Sequence, residues 1–109
     1  NNIEILWLFF KSKSQYRFKG EAFFIDKNDQ YWNKLSQRTK MPWFWPCPKE
    51  SIDKTQTFPS SNKILSKPSN FCVLEIKIKN VELLKLENPI HKRYIWDKNN
   101  NWDRIEVYP

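Results

Sequence analysis

The chain has 109 residues, 19 Lys or Arg against 12 Asp or Glu, a formal net charge of +7, 17% aromatic residues and two cysteines. At that length a chain buries roughly two-thirds of its unfolded surface, so one modest core built on a few large rings is the most to expect. A single histidine and the unclustered pair Cys47 and Cys72 speak against a metal site, and one glycine, Gly20, removes the Gly-rich phosphate loops of P-loop and dinucleotide folds.

Taken in order, Ile3 to Phe10 is an apolar run of the kind that makes a buried strand, and it is too short to span a bilayer. Lys11 to Ser14 reads as a turn. From Gln15 to Ile25 a second strand starts by alternating, with Tyr16 and Phe18 on one face and Gln15, Arg17 and Lys19 on the other, so that the two runs form a hairpin. Asp26 or Asn28 can cap a helix reaching Lys40, with Pro42 marking its end. Pro42, Pro46 and Pro48 interleave with Trp43, Phe44, Trp45 and Cys47, which predicts a rigid apolar connector without regular structure. Lys49 to Ser69 is polar and reads as a long loop or lid. Phe71 to Ile78 and Val81 to Leu86 are strands separated by a break at Lys79-Asn80. A last hairpin pairs Ile90 to Trp96 with Trp102 to Val107. Strands joined by short turns predict a mainly β, antiparallel sheet or small barrel with one or two helices, as a single domain over 1–109.

The positive charge points to an anionic partner, and by itself leaves a phosphate ester, a nucleic acid and an acidic membrane surface open. His91 and Arg93, two apart on a predicted strand, would project from one face, where a guanidinium fork and a titratable imidazole suit a phosphorylated ligand. Gln15, Arg17 and Lys19 form a second polar row, though any amphipathic strand shows such a row. The carboxylates Glu82, Glu87, Asp103 and Glu106 are scattered, and no Ser-His-acid pattern supports hydrolysis. Arg17, Lys19, Trp43 and Trp45 would be the phosphate contacts and stacking platforms of a basic single-stranded nucleic-acid-binding module.

The stretch from Lys11 through Gln15, Tyr16, Arg17 and Phe18 to Gly20 resembles the K-T-R-E-Q-F-R-x-x-G turn and strand of the pyridoxamine 5'-phosphate oxidase-like, FMN-binding split-barrel family. Trp32, Leu35 and Ser36, then Phe44 to Pro48, are similar to its W-x-x-L-S and F-x-W-P-x-P segments. Asn70 to Leu74, Val81 to Leu84 and Asn88 to Tyr94 resemble its closing strands, and Trp102 and Pro109 its ending. The resemblance covers nearly the whole chain.

It implies an antiparallel split barrel that forms a homodimer and holds flavin mononucleotide (FMN) at the subunit interface. Carried over by position, Gln15, Arg93, Lys13 and Arg17 are FMN-binding residues, the last two at the arginine places of the first pattern, and His91 faces the substrate. Four positions depart from the pattern: Lys13 replaces an arginine, Lys49 a glycine, Leu83 or Leu84 a flavin-contacting tryptophan, and Pro89 a substrate-binding arginine. The family's strands that grip the flavin phosphate lie upstream of the hairpin, so the resemblance implies the C-terminal part of such a barrel. The expected function is that of a cytoplasmic FMN-dependent oxidoreductase acting on a small molecule of unknown identity. It needs no catalytic side chain and has no metal, nucleic-acid or membrane partner. A flavin carrier without catalysis and the nucleic-acid-binding module are the alternatives.

Overall fold

The apolar run near the N-terminus becomes β1 (Asn2–Phe9) and the alternating run becomes β2 (Ser14–Phe24), paired antiparallel from Asn2↔Glu21 to Phe9↔Ser14. Lys13, at φ 50°, turns the chain between them. The computed structural model describes residues 1–57 and 63–109, and in it three further strands complete one sheet in the order β1-β2-β3-β4-β5: β3 (Leu74–Lys85), β4 (Lys92–Asp97) and β5 (Ile105–Val107). β3 pairs antiparallel with β4, and β4 with β5. The predicted mainly antiparallel β architecture is what the chain adopts.

Two compact units divide the chain: 1–23 with 74–109, which holds the sheet, and 24–73. One face of the sheet carries an aromatic ladder, with Trp7 stacked on Phe9 at 5.2 Å, Phe9 edge-on to Tyr16 at 5.7 Å, and Tyr16 stacked on Phe18 at 6.0 Å. Such cross-strand and same-strand ring contacts favour this register over a slipped one, because a one-residue slip would move every ring to the other face. Leu83 is buried on the aromatic side, paired with Tyr94.

The predicted break at Lys79-Asn80 is not a break in the strand, since β3 runs through it. It is a change of parity. Lys77 lies over Phe23 and Lys79 meets Glu21, odd residues against odd, whereas Lys19 meets Glu82, odd against even. β2 pairs regularly with β1 across this stretch, so the extra residue belongs to β3, as in a β-bulge. A bulge keeps the backbone extended while re-aiming the side chains beyond it, which is why a polar pair that reads as a turn can sit inside a long strand.

In the second unit the expected helix to Lys40 is broken into α1 (Asp29–Lys34) and α2 (Gln37–Lys40). Ser36 intervenes in extended geometry and its hydroxyl accepts the backbone N–H of Thr39 at 3.2 Å, an N-cap that restarts the helix. Asn28 occupies the cap of α1 without capping it: its Oδ1 accepts from Lys67 Nζ at 2.8 Å instead. Nor is the proline-rich connector wholly irregular. Met41–Phe44 forms a 3-10 turn with Pro42 at its start, where a missing N–H costs nothing. Trp32, Leu65 and Phe71 are its buried core, with Leu35, Met41, Trp43, Phe44 and Val73 packed around them. Trp32 Nε1 donates to the Leu65 carbonyl at 3.1 Å, so the burial of the indole leaves no orphan donor. Leu65 therefore belongs to a core rather than to a lid. The rest of the expected 49–69 loop has no helix or strand among its described residues, and 58–62 lie outside them.

Gly20 is required by space. A Cβ there would stand 2.3 Å from the carbonyl oxygen of Lys77 and 2.9 Å from its carbonyl carbon, both backbone atoms of β3 that cannot rotate away. Gly20→Ala should destabilise the protein by about 1–3 kcal/mol, the usual range for overpacking, read as a lower urea midpoint at unchanged m-value. An unchanged midpoint would show that β3 has more freedom here than the close approach indicates.

Candidate functional site

Alternation along β2 places Gln15, Arg17 and Lys19 on the face opposite the aromatic ladder. Beyond the parity change β3 contributes Glu82 and Leu84 to that same face, and the pairing of Leu84 with Arg93 brings in β4. Gln15, Arg17, Glu82, Leu84 and Arg93 line one cavity of about 110 Å³. A second, of about 200 Å³, is lined by Leu8, Phe9, Phe10, Lys13, Ser14, Gln15, Leu84 and Leu86. Gln15 and Leu84 line both, so a polar, cationic recess adjoins an apolar one.

Glu82 organises the polar half. Its Oε2 accepts from Arg93 Nη2 at 2.5 Å and its Oε1 from Lys19 Nζ at 3.2 Å, with the carboxylate side chain only 13% exposed. The Arg93 hydrogen bond above all, with Lys19 adding to it, holds the Glu82 carboxyl below the usual carboxylate range against the opposing effect of burial. Arg17 pairs more loosely, its Nε 3.4 Å from Glu4 Oε1, and both partners are exposed. Lys13 takes part through its backbone: its carbonyl accepts the Leu86 N–H at 2.9 Å, which ties the hairpin turn to the residue after β3.

Of the residues expected at the site, Gln15, Arg17 and Arg93 meet in one cavity and Lys13 joins Gln15 in the other. His91 does not share a strand with Arg93. β4 begins at Lys92, and His91 stands exposed just before it, beyond the cis Asn88-Pro89 bond. Pairing of the closing hairpin is also shorter than expected, since Trp102 takes φ 60° in the turn and β5 starts at Ile105. Glu82 is the residue that sequence reasoning passed over as one of several scattered acids. Its signal was its spacing: Glu82 and Leu84 alternate on a strand, two positions that a neighbouring strand's cation can face. Leu84, one of the two candidates for the tryptophan position, lines both cavities, whereas Leu83 is buried on the other side.

No family model matches the sequence, and no curated protein is similar to it in sequence. Solved structures are similar in fold. A pyridoxamine 5'-phosphate oxidase-related, FMN-binding protein from Nostoc punctiforme PCC 73102 matches with a TM-score of 0.70 at 22% identity, over 97% of this chain and 62% of that one. PhzG from Burkholderia lata 383, solved with tetrahydrophenazine-1-carboxylic acid, matches with a TM-score of 0.68 at 13% identity, over 95% of this chain and 57% of that one. The fold is a split barrel. This chain spans about three-fifths of the length of the two proteins whose fold it shares. Among the described residues no helix is long and apolar enough to cross a membrane, and no cluster of His, Cys, Asp or Glu is arranged to hold a metal ion.

The depressed Glu82 carboxyl makes stability depend on pH. Its folded-state pKa lies below the unfolded value, so the pairing contributes fully above about pH 4.5 and is lost as pH falls through the depressed value. Urea midpoints taken from about pH 6 down to about pH 3 should fall less steeply in Glu82→Gln than in the wild type. Equal slopes would mean that the pair does not contribute to folding.

Proposed function

We propose that the sheet unit binds FMN in the paired cavities and that the protein is a flavin-dependent oxidoreductase acting on a small molecule. One observation carries the reading: Gln15, Arg17 and Arg93, three of the residues that the family resemblance assigns to flavin, line one cavity although they come from strands near opposite ends of the chain. The chemistry of the lining fits. A flavin ring has an apolar part, which Leu8, Leu84 and Leu86 can cover, and a polar edge with donors and acceptors, which a Gln amide and guanidinium N–H groups can meet. The fold likeness to an FMN-binding protein supports the same reading.

When bound, FMN would supply the electron transfer, as cofactors generally do. The chain's own residues then have three tasks. Gln15, at the junction of the two cavities, orients the ring by donating and accepting hydrogen bonds. Arg93 stabilises negative charge on the ring through charge-assisted donation, while the leucines keep water away from it. His91 is proposed to meet the substrate, being exposed and next to the strand that carries Arg93. We place the protein in the cytoplasm, without a nucleic-acid or membrane partner.

A homodimer belongs to the same proposal. β1 is an edge strand, and Leu6, Trp7, Leu8, Phe9 and Phe10 are each at least 41% exposed, so apolar surface is uncovered on both of its faces. The nucleic-acid reading finds less support, because Arg17 and Lys19 are already ion-paired and the Trp43 ring packs edge-on against Phe71 at 5.0 Å.

Purified protein should be yellow or take up FMN on titration, and Arg93→Ala should weaken binding roughly tenfold to a hundredfold, from the loss of a charged hydrogen bond of about 1.5–3 kcal/mol. Unchanged affinity would remove Arg93 from the flavin site. Light scattering should report twice the 13.4 kDa chain mass, and a monomer at micromolar concentration would count against the shared site. Because Pro89 stands where the oxidases place a substrate-binding arginine, pyridoxine or pyridoxamine 5'-phosphate should be turned over poorly or not at all in a steady-state oxidation assay. Turnover typical of an oxidase would refute that reading of Pro89.

A further inference from the structure

Arg93 does not enter its cavity freely: it is already held by Glu82, a residue to which the flavin resemblance gives no role. The contact is monodentate. Arg and a carboxylate frequently pair through two parallel N–H···O bonds, but here Arg93 gives Glu82 one donor, Nη2 to Oε2, while Lys19 donates to Oε1. Among the described residues no other group takes a side-chain N–H of Arg93, which lines the cavity with Gln15 and Leu84.

Two opposite consequences could follow for an incoming ligand. If the carboxylate capped the guanidinium, it would compete with the ligand. If it steered the guanidinium, it would help, because a long side chain fixed before binding loses its rotamer freedom on folding rather than on association. The single contact decides between them: one N–H is spent on Glu82 and the others stay available on a group whose direction is set from β3. Lys19 contributes a second donor to the same carboxylate, at Oε1, which helps to fix the side chain that holds Arg93. The arrangement joins β2, β3 and β4 at one carboxylate that is itself largely shielded from solvent.

We propose that Glu82 is a positioning residue of the flavin site, holding Arg93 by one N–H so that the rest of the guanidinium is presented to the ligand. This rests on the FMN reading above.

The experiment is a double-mutant cycle on FMN affinity, measured by fluorescence titration, with the urea midpoint of each variant recorded so that binding is read on folded protein. Glu82→Gln should bind FMN roughly fivefold to tenfold more weakly than the wild type, and Glu82→Asp, which keeps the charge, should fall between the two. In an Arg93→Ala background, Glu82→Gln should cause no further loss, since its effect is exerted through Arg93. A merely structural role would lower the midpoint and leave the affinity of the folded protein unmoved. Equal or tighter binding by Glu82→Gln would show that the carboxylate caps rather than steers, and a full additive loss without Arg93 would show that it acts on its own; either overturns the proposal while leaving the flavin site standing. Should Glu82→Gln fail to fold, Glu82→Asp with wild-type affinity overturns it equally. A wild-type protein that takes up no FMN removes the flavin reading and this one with it.

Discussion

Arg17, Lys19 and Arg93 crowd one face of the sheet, and like charges at such range repel unless carboxylates stand among them. Glu4 on β1 answers Arg17 from the edge, in solvent, where an ion pair is worth little. Glu82 answers Lys19 and Arg93 together from the middle strand, shielded from water, where the pairing matters more. The position of that one side chain depends on the parity change in β3. Without an extra residue ahead of it, Glu82 would point to the aromatic face, and the two cations would lose their shared counter-charge while a carboxylate lay among rings.

The same change sets the character of the recess. It brings Leu84 round with Glu82, so that a polar and an apolar cavity adjoin at Leu84 and Gln15. Gly20 allows β3 to lie close against β2 just before the shift, and the Lys13 carbonyl fastens the hairpin turn beyond its far end. The overall charge of +7 is therefore a poor guide to the site, where the three cations stand against two carboxylates and little positive charge is left over.

Much of the sheet could be read from residue order alone. β1 and β2 lie within a residue of their expected limits because period-two alternation and a polar turn are strong local signals. Gln15 and Arg17 were legible as a row for the same reason. The parts that were not legible turn on contacts distant in sequence. Lys79-Asn80 has the composition of a turn, yet cross-strand pairing on both sides carries the strand through it. Leu65 lies in a polar stretch, and only the Trp32 indole that bonds its carbonyl makes it a core residue. Ser36 interrupts a helical pattern by supplying its own cap, a competition between side chain and backbone that apolar spacing does not register. Glu82 looked like one acid among many because the cations it serves lie on two other strands.

The sheet is assembled from two stretches of chain with residues 24–73 between them. That inserted unit begins and ends at neighbouring points, for the Ile25 N–H donates to the Val73 carbonyl at 3.0 Å. For folding, this changes the order in which contacts are affordable. Bringing β2 to β3 across a flexible segment of that length carries a loop-closure entropy that must be met before any contact between the strands repays it, and such non-local pairing slows folding. A segment that has already gathered around Trp32 and joined its own ends behaves as a much shorter connection. The rate at which the sheet forms is thus tied to a core that contributes no residue to the sheet.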